Sequence, residues 1–395
     1  MNGTQAIKML DRAILCAIYV AVFFIPFSVS GIEISIAIAI AMYALKSFVC
    51  RDFSFLKSKD LIFLIPFFIF CVLSLVNSGP MVNISIRALF FKWGKYILFF
   101  IILQNTLNTS WRVNVAVAIL LIITIAVNID GLFQLYSGKD LLHHNLLING
   151  KISASFRNSN SFGAYMGPVS ILLLALACRP GLKNIPRVAL FLVCALSVTC
   201  FALTFSRGAY AGFIAGLVVM LFLFKKIRPI LIFVVAIFAG VFISGGLKST
   251  PAFFQNFLRI GNDSDRIALA SAAWEMIKQH PILGMGIGTF MGHFKEYAKI
   301  SGVYYAHNCF LQIWAETGIL SLISFVFFIG FLLYRGIKIF KNNRDYLLLG
   351  LVSCMVAYIA HSLLDAHLYS LQLATLFWVL AGILSSRVNL LGAAK

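Results

Sequence analysis

RVALFLVCALSVTCFALTFSRGAYAGFIAGLVVMLFLFKK, residues 187–226, decides the fold class. Two apolar runs, about 187–205 and 208–224, flank a short polar knot, Ser206-Arg207-Gly208. Each run is long enough to cross a hydrocarbon layer as a helix, which takes roughly 17 to 25 apolar residues. Cations crowd the outer ends of the pair, at Arg179, Lys183 and Arg187 before it and at Lys225, Lys226 and Arg228 after it. Basic residues concentrate on the cytoplasmic side of a membrane. The pair therefore reads as a hairpin of two spans, with Arg207 at its extracytoplasmic tip.

The pattern extends over the chain. Of 395 residues, 61% are hydrophobic and 11% charged, with a mean hydropathy of +0.96, too little charge to cover a soluble surface. Spans are expected near 13–30, 31–49, 60–77, 88–106, 113–137, 160–178, 187–205, 208–224, 229–246, 310–334, 346–364 and 367–387, an all-α membrane protein of about twelve helices. Lys46, Arg51, Lys57 and Lys59, and later Arg335, Lys338, Lys341 and Arg344, fall in the same alternate loops as the cations of the hairpin. Both termini are then cytoplasmic. The longest polar stretches, 138–159 and 247–309, become outer loops of a single membrane domain spanning 1–395.

The net charge of +19 is explained by this topology and by anionic lipid, without nucleic acid as a partner. Eight cysteines, none in a CxxC pair, indicate neither a disulfide framework nor a zinc site. Lys8 and Arg12 precede the first apolar run as they would in a signal peptide, but no cleavage-type motif follows, so that run reads as a span. The halves show no internal repeat, which weakens a twelve-helix exporter or flippase.

Charges inside spans are candidates for function, because they are expensive there. Among them are Lys92 and Lys95, for which snorkelling to the interface is the alternative, and Asp130. In the long outer loop, DRIALASAAWEMIKQHPILGMGIGTF (265–290) opens on a cap-like Asp263-Ser264-Asp265, runs as a helix through Trp274 and Ile277, and stops at Pro281. Gly284, Gly286 and Gly288 follow without a βαβ unit, so they read as tight turns or close backbone approach, not as a dinucleotide fingerprint. HNCFLQIWAETG (307–318) re-enters the membrane with His307, Leu311, Trp314 and Gly318 on one helical face. His143 and His144 are adjacent loop residues that diverge, a poor metal pair.

The order TFSRGAY, Arg-x7-Trp, PILGMGIGTF and His-Asn-x-x-Leu-x4-Glu-x-Gly resembles the O-antigen ligase and polymerase superfamily, over roughly 150–320 by motif. The resemblance implies a GT-C-type fold with its long periplasmic loop between the ninth and tenth spans, in a bacterial inner membrane. It also implies inverting, metal-independent and cofactor-free transfer of a glycan from undecaprenyl pyrophosphate to lipid A-core, with membrane lipids around it. His307, Arg207 and Arg266 are then the catalytic residues. Two guanidinium groups can stabilise charge developing on a leaving pyrophosphate, and an imidazole can take or orient the acceptor proton. Absent the resemblance, Arg207 reads as an interfacial anchor and Arg266 as a partner of Asp263 or Asp265.

Arg157 and Asn160, in SFRNSNSFGAY, resemble a second family feature and would hold phosphate or sugar, with Lys95 as a further substrate contact. His361 and Asp365, in HSLLDAH, are substrate-contact candidates whose i, i+4 spacing also allows them to bond each other. A ligase is favoured. Its rival is a polymerase of repeat units, and a protein O-oligosaccharyltransferase is less favoured because it usually carries additional C-terminal sequence.

Overall fold

A computed structural model describes residues 3–225, 228–248, 264–298 and 305–393. Those residues are helical and contain no strand, only the isolated bridges Lys139–Leu146 and Ile148–Lys151. In chain order the helices are α1 (Gly3–Phe24), α2 (Val29–Cys50), α3 (Leu61–Leu73), α4 (Val82–Ala88), α5 (Lys95–Thr106), α6 (Ser110–Ser137), α7 (Ser159–Ala177), α8 (Asn184–Ala202), α9 (Arg207–Leu223), α10 (Arg228–Lys248), α11 (Ser264–Gln279), α12 (Phe290–Tyr297), α13 (Cys309–Asn343), α14 (Tyr346–Ser362) and α15 (Leu371–Ala393).

Each of the twelve expected segments falls on helix, with shifted ends. A π-helical turn, Leu89–Gly94, joins α4 to α5, and α13 continues nine residues past the expected end at 334. Among the described residues, six helices are long and apolar enough to cross a membrane: α2, α6, α7, α8, α13 and α15. Four shorter apolar stretches, Leu61–Asn77, Arg207–Leu223, Leu231–Ile243 and Tyr346–Ser362, pack among them. Of the polar stretch 247–309, residues 249–263 and 299–304 lie outside the described residues, as does Lys226. Its described part contains α11, which begins and ends close to where the sequence predicts.

Helices α7 and α15 are the most enclosed of the six, and α14 packs against both α7 and α9. The α9–α14 contact depends on Gly212 and Gly216. A Cβ on Gly212 would lie 2.5 Å from the Ala357 carbonyl oxygen, and one on Gly216 would lie 2.7 Å from that of Ser353. Small residues four apart let two backbones close up, as in other membrane helix pairs. This docking carries Arg207, at the start of α9, to the end of α14 where His361 sits.

A smaller apolar cluster forms over the bundle, from Leu269 and Met276 of α11, Phe290 and Phe294 of α12, and Ala315 of α13. Trp274 and Trp314 meet edge to face at 5.7 Å, and Trp314 donates to the Pro281 carbonyl at 3.0 Å. Helices α11 and α12 are thus fixed to the first turns of α13.

Candidate active site

The histidine segment starts from a local constraint. Asn308 caps α13, its side-chain oxygen accepting from the backbone N–H groups of Phe310 and Leu311 at 3.0 Å each. His307, just before the cap, takes a left-handed backbone with φ of 50°, an uncommon state for a residue with a side chain and one that recurs at functional sites. Its Nδ1 lies 3.0 Å from Oδ1 of Asp365, in the connection after α14. The backbone N–H of Ala366 donates to the same oxygen at 2.8 Å.

Burial alone would raise the Asp365 carboxyl. The hydrogen bond from His307, the nearby His367 and the Ala366 N–H outweigh it and hold the group well below the usual carboxylate range. Asp365 is therefore an anion that accepts from Nδ1–H of His307, which leaves Nε2 as the free lone pair. The expectation that His361 and Asp365 bond each other is not met. Helix α14 ends at Ser362, and Asp365 turns to His307 while the His361 ring packs at 4.0 Å on that of His367.

Asp365 also lines a pocket of about 150 Å³ with Lys151, Asn160, Arg207, Arg266 and His361. Each reaches it by a different route. Arg207 is the first residue of α9, capped by Ser206, whose hydroxyl accepts from the Ala209 N–H at 3.5 Å. Arg266 lies in the first turn of α11 and donates to the Leu364 carbonyl at 3.5 Å. It has no carboxylate partner among the described residues, so the expected pairing with Asp265 does not form. Asn160 comes from the first turn of α7.

Lys151 is a pocket residue that sequence reasoning missed. Asn149 and Gly150 have φ of 53° and 70°, the two positive values of a tight hairpin turn, and Ile148 pairs with Lys151 across it. The Asn-Gly dipeptide was the available signal. Burial lowers the Lys151 ammonium pKa, and the Arg207 charge adds to the effect. The turn belongs to the connection between α6 and α7, which is anchored from α6: Gln134 accepts from the Ser153 and Ala154 N–H groups, and Asp130 from that of Leu141. Asp130 thus holds the loop.

Other candidates lie elsewhere. Arg157 is exposed at the foot of α7 and does not line the pocket. Lys95 pairs with Glu33 of α2 and lies 4.7 Å from the Tyr96 ring centroid. Lys92, on the π-helical turn, stands 4.3 Å from the ring centroid of Tyr369 and 5.8 Å from that of Tyr305, turned into the protein rather than snorkelling out. His143 and His144 are exposed loop residues.

The three glycines 284, 286 and 288 all have positive φ, as tight turns require. They run across a break in α13 at Gly318, where φ is 82° and ψ 171°. The break frees carbonyls that the loop uses: Met285 N–H donates to Ala315 and Gly286 N–H to Glu316, each at 2.9 Å, while Ile319 N–H returns to Pro281 at 3.0 Å. The buried Glu316 carboxylate accepts from the Gly288 N–H at 3.0 Å, the Phe290 N–H at 3.3 Å, Gln312 at 3.1 Å and the Tyr369 hydroxyl at 3.1 Å. The motif glycines therefore brace the histidine helix and do not line the pocket.

His361, Asp365 and His367 each offer one metal-ligating atom, all within 4.8 Å of one another. Oδ1 of Asp365 is already engaged by His307, and the Arg266 charge bears on both imidazoles. A dication there would meet a cationic neighbour.

Residues 192–326 match the family model described as O-antigen ligase, a stretch that contains Arg207, Arg266 and His307. The match supports the resemblance to the O-antigen ligase and polymerase superfamily. No curated protein matches the chain.

Proposed function

We propose that this chain is an O-antigen ligase, transferring O-polysaccharide from undecaprenyl pyrophosphate to lipid A-core at the periplasmic face of the inner membrane. The observation that carries the reading is the convergence of Lys151, Arg207 and Arg266 on one pocket whose carboxylate, Asp365, is bonded to His307. Three cations around a small polar pocket suit a pyrophosphate, whose charge grows as the sugar–phosphate bond breaks.

The acceptor hydroxyl attacks the anomeric carbon from the face opposite the leaving group. Its proton passes to Nε2 of His307 as the new C–O bond forms, and the anomeric C–O bond to phosphate breaks with both electrons leaving on oxygen. Asp365 stabilises the imidazolium that results. One displacement inverts the anomeric centre and needs no covalent enzyme intermediate.

The matched family covers ligases and polymerases, and both would use the same donor pocket. Deleting the gene and resolving lipopolysaccharide on a gel separates them. A ligase deletion removes all long chains and leaves lipid-linked polymer behind. Core bearing a single repeat unit would instead make the chain a polymerase. Purified protein that transfers no glycan from the lipid-linked donor to either acceptor would sink both readings.

A further inference from the structure

A second cleft, of about 710 Å³, opens at the other end of the bundle. Arg335 lies 17 residues beyond the break at Gly318, so along the unbroken part of α13 the cleft stands roughly 25 Å from that break at 1.5 Å per residue. The cleft is lined by Lys57, Lys59, Arg335 and Lys338. Its volume falls within the range of small-molecule sites, roughly 300–1,000 Å³.

The charges there are unbalanced. Beside the cleft, Asp60 is fully buried and already satisfied: Arg335 donates to it at 2.6 Å, Gln104 at 2.7 Å, and the Ser385 hydroxyl also donates. Lys57, Lys59 and Lys338 have no carboxylate within 4.0 Å among the described residues. The buried pair fixes the Arg335 end of the wall and leaves three ammonium groups facing open space. The positive-inside tendency accounts for lysines near this end but not for three of them converging on one cleft.

The walls distinguish a lipid from a soluble anion. From the cleft an apolar lane runs back along α13 through Tyr334, Phe331, Phe327 and Ile323, spaced to share one face. Tyr334, Phe327 and Ile323 are 60%, 58% and 43% exposed, and Phe63 packs beside the lane at 5.8 Å from Phe327 and 5.5 Å from Phe331. Basic groups at a headgroup level above an exposed aromatic and aliphatic lane match an anionic phospholipid, and basic pockets between membrane helices bind such headgroups elsewhere.

We propose that this cleft binds one anionic diacyl phospholipid, with the phosphodiester held by Lys57, Lys59 and Lys338 and an acyl chain lying along Tyr334, Phe327 and Ile323. The assignment does not depend on the transferase reading.

Native mass spectrometry of the detergent-purified full chain, titrated separately with dioleoyl phosphatidylglycerol and dioleoyl phosphatidylcholine, tests it. Wild-type protein is expected to retain the glycerol lipid about tenfold or more over the choline lipid, since each lysine near an anionic surface contributes appreciably. The triple variant K57Q/K59Q/K338Q should lose the preference, and K57R/K59R/K338R should keep it. Phe327→Asn leaves the charges intact and should weaken both lipids. Undiminished preference in the glutamine variant would overturn the proposal. So would equally tight binding of glycerol 3-phosphate or inorganic phosphate, which would make the cleft a site for soluble anions. Should the glutamine variant fail to fold, an unchanged lipid affinity in Phe327→Asn would still refute the lane.

Discussion

Oδ1 of Asp365 accepts a hydrogen bond from Nδ1 of His307 at 3.0 Å, across 58 residues of sequence. A carboxylate bound to one imidazole nitrogen fixes the tautomer and stabilises the protonated ring. His307→Ala should lower glycan transfer by about 10²- to 10⁴-fold, the usual contribution of a positioned general base. Asp365→Asn should lose about 10²-fold while binding donor normally, because it disturbs the base without removing the cations. In vitro transfer alongside donor-binding measurements checks both. Wild-type transfer by a folded Asp365→Asn protein would mean that the contact is only structural.

The three cations around the pocket should differ in their effect. Arg207→Ala or Arg266→Ala removes a donor from a leaving group that gains charge, a loss of roughly 10²- to 10³-fold in turnover. Burial first, and then the neighbouring Arg207 charge, disfavour the Lys151 ammonium, and a bound anion offsets both. Lys151→Gln should therefore raise the donor KM more than it lowers kcat, and Lys151→Arg should restore much of the loss. Steady-state kinetics at varied donor concentration reads the split.

What is legible in the sequence depends on which contacts are local. Apolar length marked the helices, and capping logic marked α11 from its Asp-Ser-Asp start, because both depend on residues close together in the chain. Arg207, Arg266 and His307 were identified through motifs, and all three return at or beside one pocket. Lys151 was missed because its position depends on a turn anchored from α6 by Gln134 and Asp130, which local pattern does not reveal. Asp365 stands out in the sequence but not its neighbour: i, i+4 spacing presumes a helix, and α14 stops at Ser362. Lys95 and Arg157 were plausible as lone cations until Glu33 and solvent claimed them.

His367 makes the site sensitive to acid. Burial holds its imidazole down to about 4, against the attraction of Asp365, and His307 and Arg266 add to the lowering. The His361 ring packs on it, and its Nε2 is buried without a hydrogen-bond partner among the described residues. Between about pH 6.5 and 4 the unfolded chain binds a proton that the folded chain refuses, so stability is full above 6.5 and falls as pH drops. The loss reaches about 3 kcal/mol near pH 4, the equivalent of that shift. Asp365, held low, keeps its own contribution through this window and loses it only below the ordinary carboxylate range. Thermal unfolding of detergent-solubilised protein should show the slope, and His367→Gln should reduce it. An equal slope in that variant would assign the acid sensitivity to another group.

Gly318 and Glu316 should control the site from a distance. A Cβ on Gly318 would stand 1.9 Å from the Ile282 carbonyl oxygen, and its φ of 82° disfavours any side chain. Gly318→Ala must therefore push residues 281–290 off the break in α13, with a loss of about 1–3 kcal/mol or more for the strained backbone alone. Glu316→Ala leaves the Gly288 and Phe290 N–H groups and the Tyr369 hydroxyl without their acceptor, each a penalty of about 1–3 kcal/mol where burial is complete. Glu316→Gln keeps an acceptor oxygen for some of these donors and should be milder. Both severe variants should lower the unfolding temperature and slow transfer together, since Tyr369 and the start of α13 lie between this brace and His307. If Gly318→Ala kept the wild-type unfolding temperature and lost transfer alone, the glycine loop would be part of the substrate site and not its support.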